Sequence, residues 1–193
     1  MNYDYLLNNI NKKPNDTRIF HIIKNINDLK KIRINIKFNP ILIEILIRDD
    51  KSKENIVKIV NYLNENNLNN KYILSAGTVL NKDEVDFCIE NGIKIFFSPC
   101  FDIKLYKYCC TKNCILIPGV FTPNEIMDAY NNGVKIFKFY PLYDNYNILK
   151  QYLSLFKKLD IKFIPSGGIH YTNYHEIFNL SEEIIAISSS TII

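Results

Sequence analysis

Short apolar runs alternate with longer amphipathic stretches from one end of the chain to the other. The runs are IFHII (19–23), ILIEILI (41–47), KYIL (71–74), IKIFF (93–97), CILI (114–117), KIFKFY (135–140), IKFIP (161–165) and EIIAI (183–187). Several are apolar at consecutive positions, the mark of strands covered on both faces, as in a parallel sheet. Between them helical periodicity covers 26–37, 51–66, 82–91, 122–132, 145–158 and 172–179, with a fainter pattern over 101–111. Start signals agree: Asn81 has Glu84 three residues on, and Thr122 precedes Pro123 with Glu125 following. The segments ENGIKIFFSP (90–99) and NNGVKIFKFYP (131–141) form a weak repeat, in which Gly92 and Gly133 stop one helix before the next strand.

Eight strand candidates at near-regular spacing, with helices between them, predict one (β/α)8 TIM barrel over residues 1–193. Residues 1–17 are expected to form an N-terminal extension or helix. The competing architecture, an open doubly wound sheet, has no G-x-G-x-x-G after its first strand to support it. After the eighth run only SSSTII remains, so the last helix is expected to be truncated.

Composition narrows the functional classes. The chain has 193 residues, 47% hydrophobic and 23% charged, which describes an ordinary globular protein. A net charge of +4 with scattered basic residues gives no nucleic-acid footprint. No run reaches the ~18 apolar residues of a membrane helix, and MNYDYLLNNINKKPND lacks the apolar core of a leader. Five cysteines (88, 100, 109, 110 and 114) without C-x-x-C spacing point to reduced thiols and a cytoplasmic setting. Asn-rich stretches such as NYLNENNLNN (61–70) read as compositional bias at solvent-facing positions.

Charge inside the strand candidates is more telling. In VKIFKFYP (134–141) a lysine, Lys138, stands in an apolar, aromatic run. Burying an ammonium costs several kcal/mol (roughly) unless something compensates. In ILIEILIR strand alternation puts Glu44, Leu46 and Arg48 on one face, and it puts Lys138 with Ile136 and Tyr140. With both faces turned into the barrel, Glu44, Arg48 and Lys138 would meet in a low-dielectric interior. One reading is a buried ion pair that only neutralises itself. The other is an amine kept nucleophilic by desolvation and by Arg48, ready to attack a carbonyl, with Glu44 moving protons. Thr78, after the third run, offers a hydroxyl at the same rim.

Four of the six glycines follow strands: Gly77, Gly119, Gly167 and Gly168. Gly167 and Gly168, with Ser188, Ser189 and Ser190 after the eighth run, occupy the usual phosphate position of such barrels. His21, His170 and His175 have no ligand spacing with acids or cysteines, which argues against a zinc site. Cys109, Cys110 and Cys114 read as packing residues.

The motifs IEILIR, SAGTVL, FFSP, LIPGVFTPNEI, GVKIFKFYP and PSGGI occur in this order. Together, from about residue 18 to 192, the chain resembles the 2-keto-3-deoxy-6-phosphogluconate (KDPG) and 4-hydroxy-2-oxoglutarate (KHG) aldolases. The resemblance implies a class I, metal-independent aldolase on a (β/α)8 barrel, commonly a homotrimer, using no cofactor beyond an imine on its own lysine. It implies Lys138 as the Schiff-base residue and Glu44 as proton acceptor and donor through a water. It places Arg48 and Thr78 on the pyruvate carboxylate, and Pro99 and Phe139 along the pocket. Ser166 would contact a substrate hydroxyl, and Gly167, Gly168 and Ser190 would hold a phosphate. The products would be pyruvate and either glyceraldehyde 3-phosphate or glyoxylate.

Departures fall at Ser188-Ser189-Ser190 where the family usually has Gly-Gly-Ser, at FYPLYDN, at Cys100, at the KFNP loop and at the missing last helix. They bear on substrate choice and stability. A diverged barrel kept as a binding subunit, or another phosphate-binding barrel enzyme, are the alternatives.

Overall fold

The computed structural model describes residues 3–10, 18–35 and 40–192. A short helix α1 (Asp4–Ile10) precedes β1 (Ile19–Ile23), and strands and helices then alternate: α2 (Ile26–Asn35), β2 (Ile41–Leu46), α3 (Asp50–Glu65), β3 (Tyr72–Gly77), α4 (Lys82–Glu90), β4 (Ile95–Ser98) and α5 (Ile103–Thr111). The series continues through β5 (Ile115–Val120), α6 (Pro123–Asn131), β6 (Ile136–Phe139), α7 (Tyr146–Leu155), β7 (Lys162–Pro165), α8 (Tyr174–Phe178) and β8 (Ile187–Ser189). All strand pairs are parallel, in the order β7-β6-β5-β4-β3-β2-β1-β8. Two isolated bridges, Phe163 to Ile184 and Ser166 to Ser188, join the outer strands, so the sheet is a nearly closed (β/α)8 barrel. Among the described residues no helix follows β8.

The helices start where the sequence marks them. Thr122 accepts from the Glu125 amide while Glu125 accepts from the Thr122 amide, a complete capping box on α6. On α4 the box is modified: Asn81 accepts from the Glu84 amide, but Glu84 reaches one residue further back, to the Leu80 amide. The faint pattern at 101–111 is a genuine helix capped by Asp102. Of the predicted helix over 26–37, Ile26–Asn35 is helical and 36–37 lie outside the described residues, as do 1–2 and 11–17 of the N-terminal extension. The eighth strand is Ile187–Ser189 rather than 183–187, because the register with β1 pairs Ile19 with Ile187 and His21 with Ser189.

Two apolar layers result. The larger lies between strands and helices and takes the outward strand positions, such as Ile43, Ile45, Phe96, Phe137 and Phe163. The smaller fills the barrel with inward positions: Phe20, Leu42, Ile73, Ile95, Phe97, Ile115, Ile117, Ile136, Ile164 and Ala186. Phe20 and Phe97 meet edge to face there, centroids 5.1 Å apart. Tyr3, Leu6 and Ile10 of the first segment join this inner cluster, so α1 closes the end of the barrel where the strands begin. Leu6 and Ile10 are wholly buried, each contributing about 1.5–3 kcal/mol from burial.

Candidate active site

Along β6 the side chains alternate inward at Ile136, outward at Phe137, inward at Lys138 and outward at Phe139. Along β2 Leu42 and Glu44 point inward by the same rule. Lys138 and Glu44 therefore meet inside the barrel, toward the C-terminal ends of their strands. Lys138 Nζ donates to Glu44 Oε1 at 2.6 Å and to Oε2 at 2.8 Å. Glu44 is 1% exposed and Lys138 9%, so the lysine lies nearer the mouth. The Phe97 ring supports the ammonium from below, its centroid 4.6 Å from Nζ.

The surroundings are cut to fit this pair. A Cβ on Gly77, the register partner of Leu46 across the β2–β3 ladder, would collide with Glu44 Oε1 and lie 2.8 Å from Leu46 Cδ2. Gly119 is the register partner of Lys138 on β5, and a Cβ there would sit 2.6 Å from the Pro99 carbonyl oxygen. Ser188, fully buried on β8, donates through its hydroxyl to Glu44 Oε2 at 2.6 Å. Thr78, half-buried just after β3, holds φ at 65°, a costly left-handed conformation for a β-branched residue.

Other sequence-derived candidates divide. Pro99 is exposed at the rim after β4, close to Gly119. Ser166 is buried at the end of β7, its amide donating to the Phe139 carbonyl and its carbonyl accepting from the Leu142 amide. Gly167 and Gly168 form the following loop with φ of 95° and 70°, values that favour glycine. Ser190 is exposed beyond β8.

Three placements differ from expectation. Arg48 is exposed two residues past the end of β2 rather than buried beside Glu44 and Lys138, and its amide donates to Ser52 Oγ at 3.3 Å. Phe139 does not line the pocket, because the alternation that turns Lys138 inward turns its neighbour outward, against Phe121 and Tyr152. Ser189 likewise faces outward, and its hydroxyl is committed to the Ile169 carbonyl at 2.6 Å, bracing the Gly-Gly loop.

Sequence reasoning passed over two features: the contact of Ser188 with Glu44, and the aromatic cover on the glycine loop. A Cβ on Gly168 would lie 2.8 Å from Tyr143 Cδ1, and one on Gly167 3.2 Å from Tyr140 Cε2. Carrying the β8 alternation on from Ala186 would have found the first; nothing in the sequence signals the second.

The remaining titratable groups lie apart from this centre. Burial pushes the Cys88 and Cys109 thiols up to about 12, so neither is a ready nucleophile. Among the described residues no three His, Cys, Asp or Glu side chains gather closely enough to hold a metal ion.

A buried ion pair is a poor device for stability, since apolar residues of similar volume serve as well or better. Its position at the C-terminal mouth of a parallel barrel is where such folds place their chemistry. Fold and centre together define a (β/α)8 barrel with a lysine–carboxylate site. Within that class the chain belongs to the KDPG and KHG aldolase family, whose model matches residues 21–193.

The KHG/KDPG aldolase of Escherichia coli (strain K12) is 31% identical over 121 residues, 63% of this chain and 56% of that protein. The 2-dehydro-3-deoxy-phosphogluconate aldolase of Zymomonas mobilis is 33% identical over 103 residues, 52% of this chain and 49% of that one. The chain thus spans about half the length of the curated relatives it matches. Among solved structures, a 2-keto-3-deoxy-6-phosphogluconate aldolase from Zymomonas mobilis superposes with a TM-score of 0.77 at 23% identity, covering 98% of this chain and 86% of that one. A KDPG aldolase from Legionella pneumophila, with pyruvate captured as a covalent carbinolamine, gives 0.73 at 22% identity, covering 91% and 84%.

Proposed function

We propose that this chain is a class I aldolase that cleaves a 4-hydroxy-2-oxo acid to pyruvate and an aldehyde through an imine on Lys138. The observation that carries the reading is the 2.6 Å contact of Lys138 Nζ with Glu44 inside the mouth of the barrel. Glu44 takes a proton from the ammonium, and the freed amine adds to the keto carbon to give a carbinolamine. Glu44 returns that proton to the carbinolamine hydroxyl, which leaves as water and gives an iminium, and the carboxylate is restored. The carboxylate then accepts the proton of the C4 hydroxyl, the C3–C4 bond breaks, and its electron pair passes through C2 to nitrogen as an enamine. The aldehyde leaves, Glu44 returns the proton to C3, and hydrolysis releases pyruvate and the amine. The pyruvate carbinolamine of the Legionella aldolase supports the covalent step.

The substrates are 2-dehydro-3-deoxy-6-phosphogluconate, 4-hydroxy-2-oxoglutarate or both, giving glyceraldehyde 3-phosphate or glyoxylate beside pyruvate. Arg48 and Thr78 at the rim bind the pyruvate carboxylate, Ser166 meets a substrate hydroxyl, and Gly167, Gly168 and Ser190 receive the phosphate. The lysine imine supplies the electron sink, so the reaction draws on no metal or other cofactor. The active assembly is a homotrimer in the cytoplasm.

Incubation with pyruvate and borohydride tests the chemistry. The expected result is an irreversible mass increase localised to Lys138, with aldolase turnover in a parallel assay. Wild-type protein without the adduct would overturn the reading; adduct without turnover would mark a barrel that binds but no longer cleaves. Rates with the phosphorylated and unphosphorylated substrates identify the aldehyde half, and light scattering checks the trimer.

A further inference from the structure

We propose that Ser188 is the positioning residue of Glu44, the group that keeps the carboxylate aimed once the lysine becomes covalently engaged. The inference rests on the aldolase reading and assigns a role within its proton transfer.

In the resting site three hydrogen bonds hold the Glu44 carboxylate. Two come from Lys138, to Oε1 at 2.6 Å and Oε2 at 2.8 Å, and one from Ser188 Oγ to Oε2 at 2.6 Å. The lysine cannot keep its share through turnover. An ammonium has three N–H donors, whereas an iminium nitrogen bonded to the keto carbon has one, and the neutral enamine nitrogen has a weaker one. At least one of the two lysine hydrogen bonds is therefore lost at the moment when Glu44 must accept or return a proton. The Ser188 hydroxyl does not depend on the state of that nitrogen.

The same geometry divides labour between the two oxygens. Oε2 is anchored by Ser188 from β8, while Oε1 rests over Gly77, where no side chain intervenes. Oε1 is then the oxygen that exchanges a proton with C3. The Ser188 hydroxyl is given to the carboxylate, whereas its neighbours are committed elsewhere: Ser75 Oγ donates to the Ile43 carbonyl at 2.7 Å and Ser189 Oγ to the Ile169 carbonyl. Ser188 reaches the carboxylate because it is the inward residue of β8, two positions after Ala186, and is wholly buried. A hydroxyl that only neutralised a buried charge would matter to folding and not to one step among several.

Two partial reactions of pyruvate separate these roles. Borohydride trapping reports imine formation at Lys138, and exchange of the pyruvate methyl protons in deuterated water reports proton transfer by Glu44. Ser188→Ala, checked for folding by its melting transition, is expected to trap pyruvate at the wild-type level. Its methyl exchange and aldol cleavage at saturating substrate are expected to fall about tenfold, the size of one charge-assisted hydrogen bond. Ser188→Cys, with a weaker donor of similar shape, is expected to fall between them. In a Glu44→Gln background, Ser188→Ala is expected to have no further effect on exchange.

Wild-type exchange rates in a folded Ser188→Ala protein would overturn the proposal while leaving the aldolase reading intact. So would an equal loss of trapping and exchange, or additive losses in the Glu44→Gln background. A wild-type protein that neither traps nor exchanges pyruvate would overturn the aldolase reading itself, and this inference with it.

Discussion

The two ends of the barrel interior are lined by the same inward faces of the same strands, yet they are made of opposite materials. Where the strands begin, the inward residues are Ile73, Ile95, Ile115 and Ile136, and Leu6 and Ile10 of α1 close the opening. One or two pleats further on, those positions become Ser75, Phe97, Ile117 and Lys138, and then Gly77 and Gly119, with Glu44 and Ser188 from β2 and β8. Apolar residues need no partner, so the lower layer is fixed by volume alone. The upper layer holds a charge pair whose cost is offset only by tightly specified hydrogen bonds, with glycines clearing the space. The change of material along one face marks the boundary between what holds the barrel together and what is proposed to act on a ligand.

Removing one charge is the strongest way to break that contrast. Lys138→Met should abolish borohydride trapping and turnover, and should leave Glu44 as a buried carboxylate without its counter-charge. The expected destabilisation is about 3–5 kcal/mol by urea unfolding, largely relieved when Glu44→Leu is added. A loss of activity without a loss of stability would show that the pair is not desolvated in the way its burial implies. Leu6→Ala probes the opposite end. It should cost about 2–5 kcal/mol as a cavity under the barrel, with pyruvate trapping unchanged wherever the variant remains folded. Trapping that fell in parallel with stability would mean that the two layers are not separable.

Much of this division was legible in the sequence, and the failures have specific causes. The pairing of Lys138 with Glu44 followed from strand period alone, since each stands among apolar residues of a central strand. The same period put Arg48 in a low-dielectric interior with Glu44, although the strand ends at Leu46 and Arg48 is exposed beyond it. Phe139 was assigned to the pocket by resemblance, against the alternation that had just placed Lys138 there. Ser188 read as loop because three consecutive serines carry no apolar signal, whereas the ladder with β1 places two of them in a strand. The role of α1 left no trace at all, because a short amphipathic segment does not state which surface it will cover.

Gly77 lies at the junction of the two layers and gives a smaller effect. Gly77→Ala places a methyl group against Glu44 Oε1 and Leu46. Overpacking of this kind costs about 1–3 kcal/mol. Because it displaces the carboxylate proposed to move protons, turnover should fall about a hundredfold while the melting transition moves only modestly. Unchanged turnover would show that the carboxylate has room to shift and that the glycine serves only the strand.

The weakest effect belongs to the outer face of β1, where His21 shows that a buried polar group need not belong to the site. Its ring Nδ1 lies 2.6 Å from the Ile192 carbonyl, which can only accept, so this nitrogen carries the proton and donates. Burial is the largest influence on the imidazole and pushes its pKa below the ordinary value, against the smaller opposing effect of that hydrogen bond. The unfolded chain takes up its proton near the ordinary value of about 6.5, whereas the folded chain resists it. Below that pH the unfolded state binds more protons and stability declines as pH falls; above it His21 adds no pH dependence. The loss from this residue is at most about 1.4 kcal/mol by pH 5.5. Urea unfolding at pH 5.5 and 7.5 should therefore show a larger acid-side loss in the wild type than in His21→Gln, with trapping of pyruvate at pH 7.5 the same in both. Equal losses would mean that the ring is protonated as easily inside the fold as outside it, and that its burial is not the barrier the structure implies.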